Sequence, residues 1–411
     1  MRKIIVAVTF LLTMSFSVTT LAEQPGHKPV KSVHKTSGGK PHKKMKRPQI
    51  EGVFSLDMVV NKGRIHLLAG RQKADKKSLW YRYSDDGGAS WSVDSQVLKK
   101  DSLPVRATRG NDAQIVAQGE IVVVTWTKFD PKTRFNSGPM LAARSVDGGQ
   151  SWLPASAPPD WNGGSHGFID MAVDDKFVHA VWLDSRKAEG FKKQQGVRYS
   201  RSSDGGLSWD KNLTLDGHSC SCCWNKVVTD GSSAYVLYRD KNPSDLSIGV
   251  VNEQQQWQYL NHVGSFNWMF DGCPHIGGGL DFQTVLGVKR LHATVGTAHP
   301  KHLGVHYLYS NDSGKSWSDI KTLGDESAIH SDIAAHEDGR VIAVWDMMGE
   351  VGLGNFYAES KDGGEHWSVA KLLSTKGARA SHPRIVKTKN GFFAAWTESD
   401  GLNQRLMTKG L

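Results

Sequence analysis

The chain has 411 residues, 43 of them glycine, and 51 Lys and Arg against 41 Asp and Glu give it a formal charge of +10. That length can bury a sizeable core, and abundant glycine without helical apolar periodicity points away from helices and towards an all-β fold. No P-loop, dinucleotide-binding or His-Glu-x-x-His pattern occurs, which sets aside nucleotide chemistry and zinc proteolysis.

Residues 1–22 read as a secretory signal. Arg2 and Lys3 precede an apolar run from Ile4 to Phe16, and Thr20-Leu21-Ala22 offers a small-residue cleavage site. The expected location is therefore periplasmic or secreted, with an uncleaved anchor as the alternative. No cysteine follows the cleavage point, so a lipoprotein is not indicated, and no later apolar run is long enough to span a bilayer. Residues 23–48 are rich in Lys, His, Pro and Gly, a composition that cannot bury enough surface to order itself. This leader holds +7 and the signal +2 of the chain's +10, leaving +1 for residues 49–411. The basic charge thus belongs to the leader, and a nucleic-acid partner is not expected. The leader is a solvated linker or touches anionic lipid headgroups or polysaccharide. Its His27, His34, His42 and Met45 could also hold metal loosely.

From residue 49 onward the chain repeats itself. Ser84 to Trp91, Ser145 to Trp152, Ser202 to Trp209, Ser310 to Trp317 and Ser360 to Trp367 all read S-x-D-x-G-x-x-W. Each follows an alternating strand-like run, such as Leu79-Trp80-Tyr81-Arg82-Tyr83, so each sits at a hairpin turn. The Asp carboxylate can accept from turn amides, the glycines permit positive φ, and the Trp returns into the next strand as an apolar anchor. The Trp-to-Trp intervals are 61, 57, 108 and 50 residues. The long gap holds a sixth unit, Leu246 to Trp257, whose Asp-Gly turn has decayed. A period near 55 residues built from short strands and glycine turns is a β-propeller signature.

Seven apolar runs qualify as second strands of four-stranded blades: Ile65–Leu68, Ile121–Trp126, Phe177–Trp182, Ala234–Tyr238, Leu291–Val295, Val341–Trp345 and Phe392–Trp396. Seven blades are therefore expected, with six as the alternative and the repeated hairpins joining third to fourth strands. The last blade has a first strand (Arg384-Ile385-Val386) and a third (Arg405-Leu406-Met407). Its missing fourth strand is expected from Gln49 to Val53, which would close the ring and remove both sheet edges.

The repeated motif is the Asp box, and over residues 50–411 the sequence resembles the sialidase-like (bacterial neuraminidase repeat) propellers. The resemblance implies that the boxes lie on the face away from the functional mouth and hold blades together. It implies an exo-acting glycoside hydrolase with an arginine triad on the sugar carboxylate, a Tyr nucleophile activated by a Glu, and an Asp acid/base. Arg186, Arg239 and Arg384 are the candidates for that triad, with Arg71 and Arg109 in reserve. The family's Arg-Ile-Pro signature is absent, Phe54-Ser55-Leu56-Asp57 standing in its place, and no Tyr precedes an innermost strand.

A second reading comes from the loops expected opposite the boxes. The lead-ins to the innermost strands carry Cys222-Cys223, Cys273-Pro274-His275, Ser165-His166, His330-Ser331 and Ser381-His382. All four cysteines (Cys220, Cys222, Cys223, Cys273) fall there, with His275, His166, His330 and His382 at comparable positions. Disulfides stapling neighbouring blades would suit an exported protein. Thiolate with imidazole also makes a donor set for copper or zinc, or a thiol-redox site, and Met347-Met348 could add thioethers favouring Cu(I). A third reading is a monomeric, noncatalytic propeller whose mouth takes a small molecule, glycan or protein.

Overall fold

The computed structural model describes residues 51–186, 195–285, 287–401 and 403–411. The expected signal and leader lie outside the described residues. Within them the regular elements are strands, apart from two single 3-10 turns at Val97–Lys99 and Arg134–Asn136.

The strands form antiparallel meanders in chain order. The first is Glu51–Asn61, Arg64–Lys73, Lys76–Ser84 and Ser95–Gln96. Five more four-stranded sheets follow, with innermost strands Gln114–Gln118, His166–Val173, Lys226–Thr229, Gly278–Val285 and Ser331–Ala335. The last meander has three strands: Arg379–Lys387, Phe392–Ser399 and Asn403–Gly410. Each innermost strand packs on the innermost strand of the next meander, and Arg379–Lys387 packs on Glu51–Asn61, so the order closes on itself. We number the meanders as blades one to seven.

The closing pair is made by the expected N-terminal residues, but over two residues only and in parallel. Glu51 and Gly52 pair in parallel with Asn403 and Gln404, after which the chain becomes the innermost strand of blade one. Gly52 permits this approach. Its φ is +108°, and a Cβ there would sit 2.0 Å from the Gln404 carbonyl oxygen. Gln49 and Ile50 lie outside the described residues.

The second strands are apolar along their length because both of their faces are covered. Every residue of Val178–Asp184 is buried, and so are six consecutive residues of Ile121–Phe129. The cores accordingly lie between blades rather than within them. Leu68 and Tyr81 of blade one, for example, pack with Ile115, Val124 and Trp126 of blade two. Each such side chain contributes about 1.5–3 kcal/mol on leaving water.

Charged groups fasten the ring nearest its axis. Asp57 accepts from the Ile115 amide (2.9 Å), Asp170 from Val227 (2.7 Å), Asp281 from Ala335 (2.9 Å) and Asp332 from Ile385 (3.3 Å). In each case a carboxylate on one innermost strand holds a backbone N–H further round the ring. They share a cavity of about 220 Å³, lined by all seven innermost strands, with Lys226, Arg384 and Lys387. Burial pushes the Asp57 carboxyl up to about 6, against the pull of Arg384 at 2.9 Å.

The boxes close each hairpin on itself. In the third copy the Ser202 hydroxyl donates to Asp204 (2.7 Å), and that carboxylate accepts from the Leu207 and Ser208 amides and the Ser208 hydroxyl. These bonds hold the Asp204 carboxyl down at about 2, against the opposing effect of partial burial. The fifth box position has positive φ in every copy, and in four of the five a Cβ there would also strike the neighbouring blade, at Gly149 lying 2.0 Å from the Tyr81 ring. In the decayed unit Asn252 replaces the Asp and its side-chain oxygen still accepts from the Gln254 and Gln256 amides. The tryptophans precede the short fourth strands rather than lying in them, except Trp257, which opens Trp257–His262.

Candidate functional site

Strand direction decides which loops meet. In blade three Asp184 pairs with both His166 and Gly196, whereas Val178 pairs with Ser202 and Val173. The box therefore starts at one end of the blade. The lead-in to the innermost strand and the loop after the second strand share the other end. The same order in the remaining blades gathers the cysteine- and histidine-bearing loops at the end away from the boxes.

Cys220, Cys222 and Cys223 occupy the lead-in to blade four, and Cys273 and His275 the lead-in to blade five. Arg239, at the end of blade four's second strand, organises both loops. Its carbonyl accepts from the Cys220 amide (3.0 Å), and its buried guanidinium donates to the carbonyls of Ile276 (2.8 Å), Gly296 and Ser244. One side chain thus ties the first cysteine loop to the residue following His275.

The sulfurs converge as a result. Cys220 Sγ lies 3.8 Å from Cys222 Sγ and 3.0 Å from Cys223 Sγ, and Cys273 Sγ lies 3.6 Å from the Ser221 hydroxyl. All four cysteines are free thiols; three are buried and Cys273 is exposed. Cys222 belongs to two donor groups, one with Cys220 and Cys223, the other with Cys273 and His275, and within each group the donor atoms lie inside 4.8 Å. Two thiolates on one tetrahedral zinc, each about 2.3 Å from the ion, sit about 3.8 Å apart, so the Cys220–Cys222 spacing fits shared ligation, whereas Cys220 and Cys223 at 3.0 Å would have to separate by about 0.8 Å on loading. The packed thiols also unbalance one another: S–H donation from Cys222 and Cys223 lowers the Cys220 thiol, while burial pushes Cys223 up to about 12.

Two of the predicted histidines form a separate group. The rings of His330 and His382 stack at 3.7 Å between centroids and 17° between planes, and Trp224 flanks both at 5.5 and 5.9 Å. The buried Asp346 carboxylate accepts from His330 Nδ1 (2.7 Å) and from the His382 amide (2.8 Å). Burial holds the His382 imidazole well below its ordinary range, with His330 and Arg109 adding to the effect. An imidazole binds a metal in its own ring plane, so two nearly parallel stacked rings do not aim at one ion. With Asp346 the two imidazoles nonetheless make a third group whose donor atoms all lie within 4.8 Å of one another.

Both rings face a cavity of about 260 Å³ that also meets Phe168, Trp224, Arg106 and His275. Phe168, His275 and His382 have φ of +53°, +54° and +51°, conformations that L-residues hold only when packing imposes them. Arg109 Nε and His382 Nδ1 are buried there without partners, and Asn225 Oδ1 and Ser331 Oγ are likewise unpaired in the adjoining pocket.

The remaining predicted residues go elsewhere. His166 is fully buried, accepting from the Met140 amide at 2.9 Å with its ring against Trp161, and belongs to neither group. Burial lowers it to about 4. Met347 sulfur accepts from the Trp345 indole within blade six. The three candidate arginines have separate partners: Arg186 bonds Asp184, Asp160 and Asn212, Arg239 bonds three carbonyls, and Arg384 bonds Asp57 beside Asp332. None is left to clamp a common carboxylate. Trp224 and the pairing role of Asp346 had no distinct sequence signal, although Trp224 directly follows Cys223.

No family model matches the sequence. An anhydrosialidase of Macrobdella decora is 20% identical over 312 residues, 64% of this chain and 38% of that protein. The chain thus spans well under half of that relative. The solved structure of a polysaccharide lyase, an ulvan lyase bound to a GlcA–Rha3S oligosaccharide, superposes with a TM-score of 0.57 over 88% of this chain and 95% of the other, at 10% identity. The chain has a β-propeller fold, similar to those proteins. A Trypanosoma rangeli sialidase in complex with the inhibitor DANA is also similar, at a TM-score of 0.48 and 12% identity, covering 88% of this propeller and 55% of that chain.

Proposed function

We propose that this propeller is an exported protein carrying a soft transition-metal site, for copper or zinc, at the end of the ring away from its boxes. The single observation behind the reading is Cys222, whose sulfur has four further thiol or imidazole donors grouped around it from the lead-ins of two successive blades. Thiolate and imidazole suit Cu(I) and Zn²⁺ and suit calcium or magnesium poorly. Arg239 would hold the two donor loops in register, and ligation would displace thiol protons, so affinity rises with pH through the thiol range. Export rests on the signal-like residues 1–22. Elemental analysis of protein purified without a histidine tag, paired with a free-thiol count, tests the reading. Copper or zinc at or above one per chain, absent from Cys222→Ser, is the expected result. Metal-free protein whose four cysteines are all in disulfides would overturn it.

A glycan at the same end of the ring is the second reading. It is favoured by the unpaired polar atoms and the Trp224 face around the His330/His382 cavity, and by the likeness to an anhydrosialidase. Release of sialic acid from a fluorogenic sialoside tests its hydrolytic form. Trp224→Ala is the informative variant, because Arg384 also holds the ring's axis together.

A further inference from the structure

We propose that the site is dinuclear, with the Cys222 thiolate bridging two soft metal ions. The inference rests on the metal-binding reading above and specifies its stoichiometry and ligand sharing. Five donors surround the site, yet they fall into two groups of three that share only Cys222: Cys220, Cys222 and Cys223 on one side, and Cys222, Cys273 and His275 on the other. Two thiolates bound to one ion can stand no further apart than twice the metal–sulfur bond, about 4.6 Å. Donors that do not all lie within 4.8 Å of one another cannot share one ion as they are placed. Two ions use every donor, one in an S₃ set and one in an S₂N set.

A thiolate sulfur has lone pairs enough to bind two soft ions at once, and each ion then has three protein ligands. Three-coordination suits Cu(I), whereas zinc sites built by protein ligands alone are four-coordinate. Loading involves no change of oxidation state: each ligating thiol gives its proton to solvent as the sulfur–metal bond forms. The two positions are also unequal in exposure. Cys220, Cys222 and Cys223 are buried, and Cys273 and His275 are exposed, so the S₃ ion lies inside and the S₂N ion faces solvent. The outer ion should therefore exchange with a chelator first.

The test is anaerobic Cu(I) titration of the full chain, purified without a histidine tag, read by elemental analysis and X-ray absorption. Wild type should saturate at two copper ions per chain and show a copper–copper scattering path. Cys273→Ser combined with His275→Gln should retain one ion and lose that path, and Cys220→Ser combined with Cys223→Ser should do the same. Cys222→Ser should bind fewer than two. Circular dichroism of each metal-free variant separates a lost ligand from a lost fold, and the wild-type scattering measurement needs no variant. Saturation at one ion would overturn the dinuclear inference and leave the metal site standing, whereas no copper at all would remove both. Two ions retained in Cys222→Ser would overturn the bridge, and iron with acid-labile sulfide would replace it by a different cofactor.

Discussion

The two ends of this ring follow opposite rules. At the box end five hairpins repeat one closed set of hydrogen bonds, and a sixth keeps its logic with Asn252 in place of Asp. Partners there lie two to four residues apart. At the other end no two lead-ins are alike, three residues are held at positive φ around one cavity, and buried polar atoms lack partners. The box carboxylates are satisfied within their own hairpins and the unit can be copied, although the Trp317 indole nitrogen is buried there without a partner. A binding site leaves groups unsatisfied and is assembled once, from pieces of several blades.

This contrast can be broken in order of expected effect. Among the substitutions Arg384→Ala should cost the most, about 3 kcal/mol in urea unfolding, because it strands Asp57 and Asp332 at the axis. Stability unchanged by this substitution would mean that the axial ion pairs do not fasten the ring. Acidification comes next. His66 and His166 are lowered to about 4 and His292 to about 3 by burial, against about 6.5 in an unfolded chain. The unfolded state therefore takes up protons first, and stability falls as pH drops from 6.5 towards 4. The loss is on the order of 1–3 kcal/mol per histidine. Asp57 acts in the opposite sense, because it protonates in the folded state near 6, before the unfolded carboxyl does. Burial raises Asp170, Asp240 and Asp281 in the same sense, while His306 and His382 are lowered with the other histidines, and melting temperature recorded across that window should decline.

Asp204→Ala should cost about 1 kcal/mol by removing local turn bonds, with metal content unchanged. A fall in metal content would couple the two ends and erase the distinction drawn here. The smallest effect is expected from His330→Gln, which should leave metal content at its wild-type value because the proposed site draws its donors from the two cysteine loops. Metal lost from that variant would return the second histidine group to the metal site.

The repeat made the scaffold legible. A motif whose hydrogen bonds close within eight residues leaves a fixed spacing in the sequence, and strand alternation then dictates which loops share an end. Cys222, Cys273 and His275 were placed in one region by that counting alone. Other features left no such trace. The axial carboxylates bond amides 53 to 58 residues away, with no local pattern to mark them. The arginines read as a triad are each absorbed by private partners, a matter of side-chain direction that spacing does not carry.

By itself the amino-acid order determined the architecture and the end of it where sulfur and imidazole collect, because turn chemistry and strand periodicity act over short distances along the chain. Tertiary structure alone decided that Cys222 joins two donor groups, that His330 and His382 stack instead of joining the cysteines, and that His166 is buried elsewhere. Those outcomes depend on ångström-scale packing between blades some fifty residues apart, which a one-dimensional repeat does not encode.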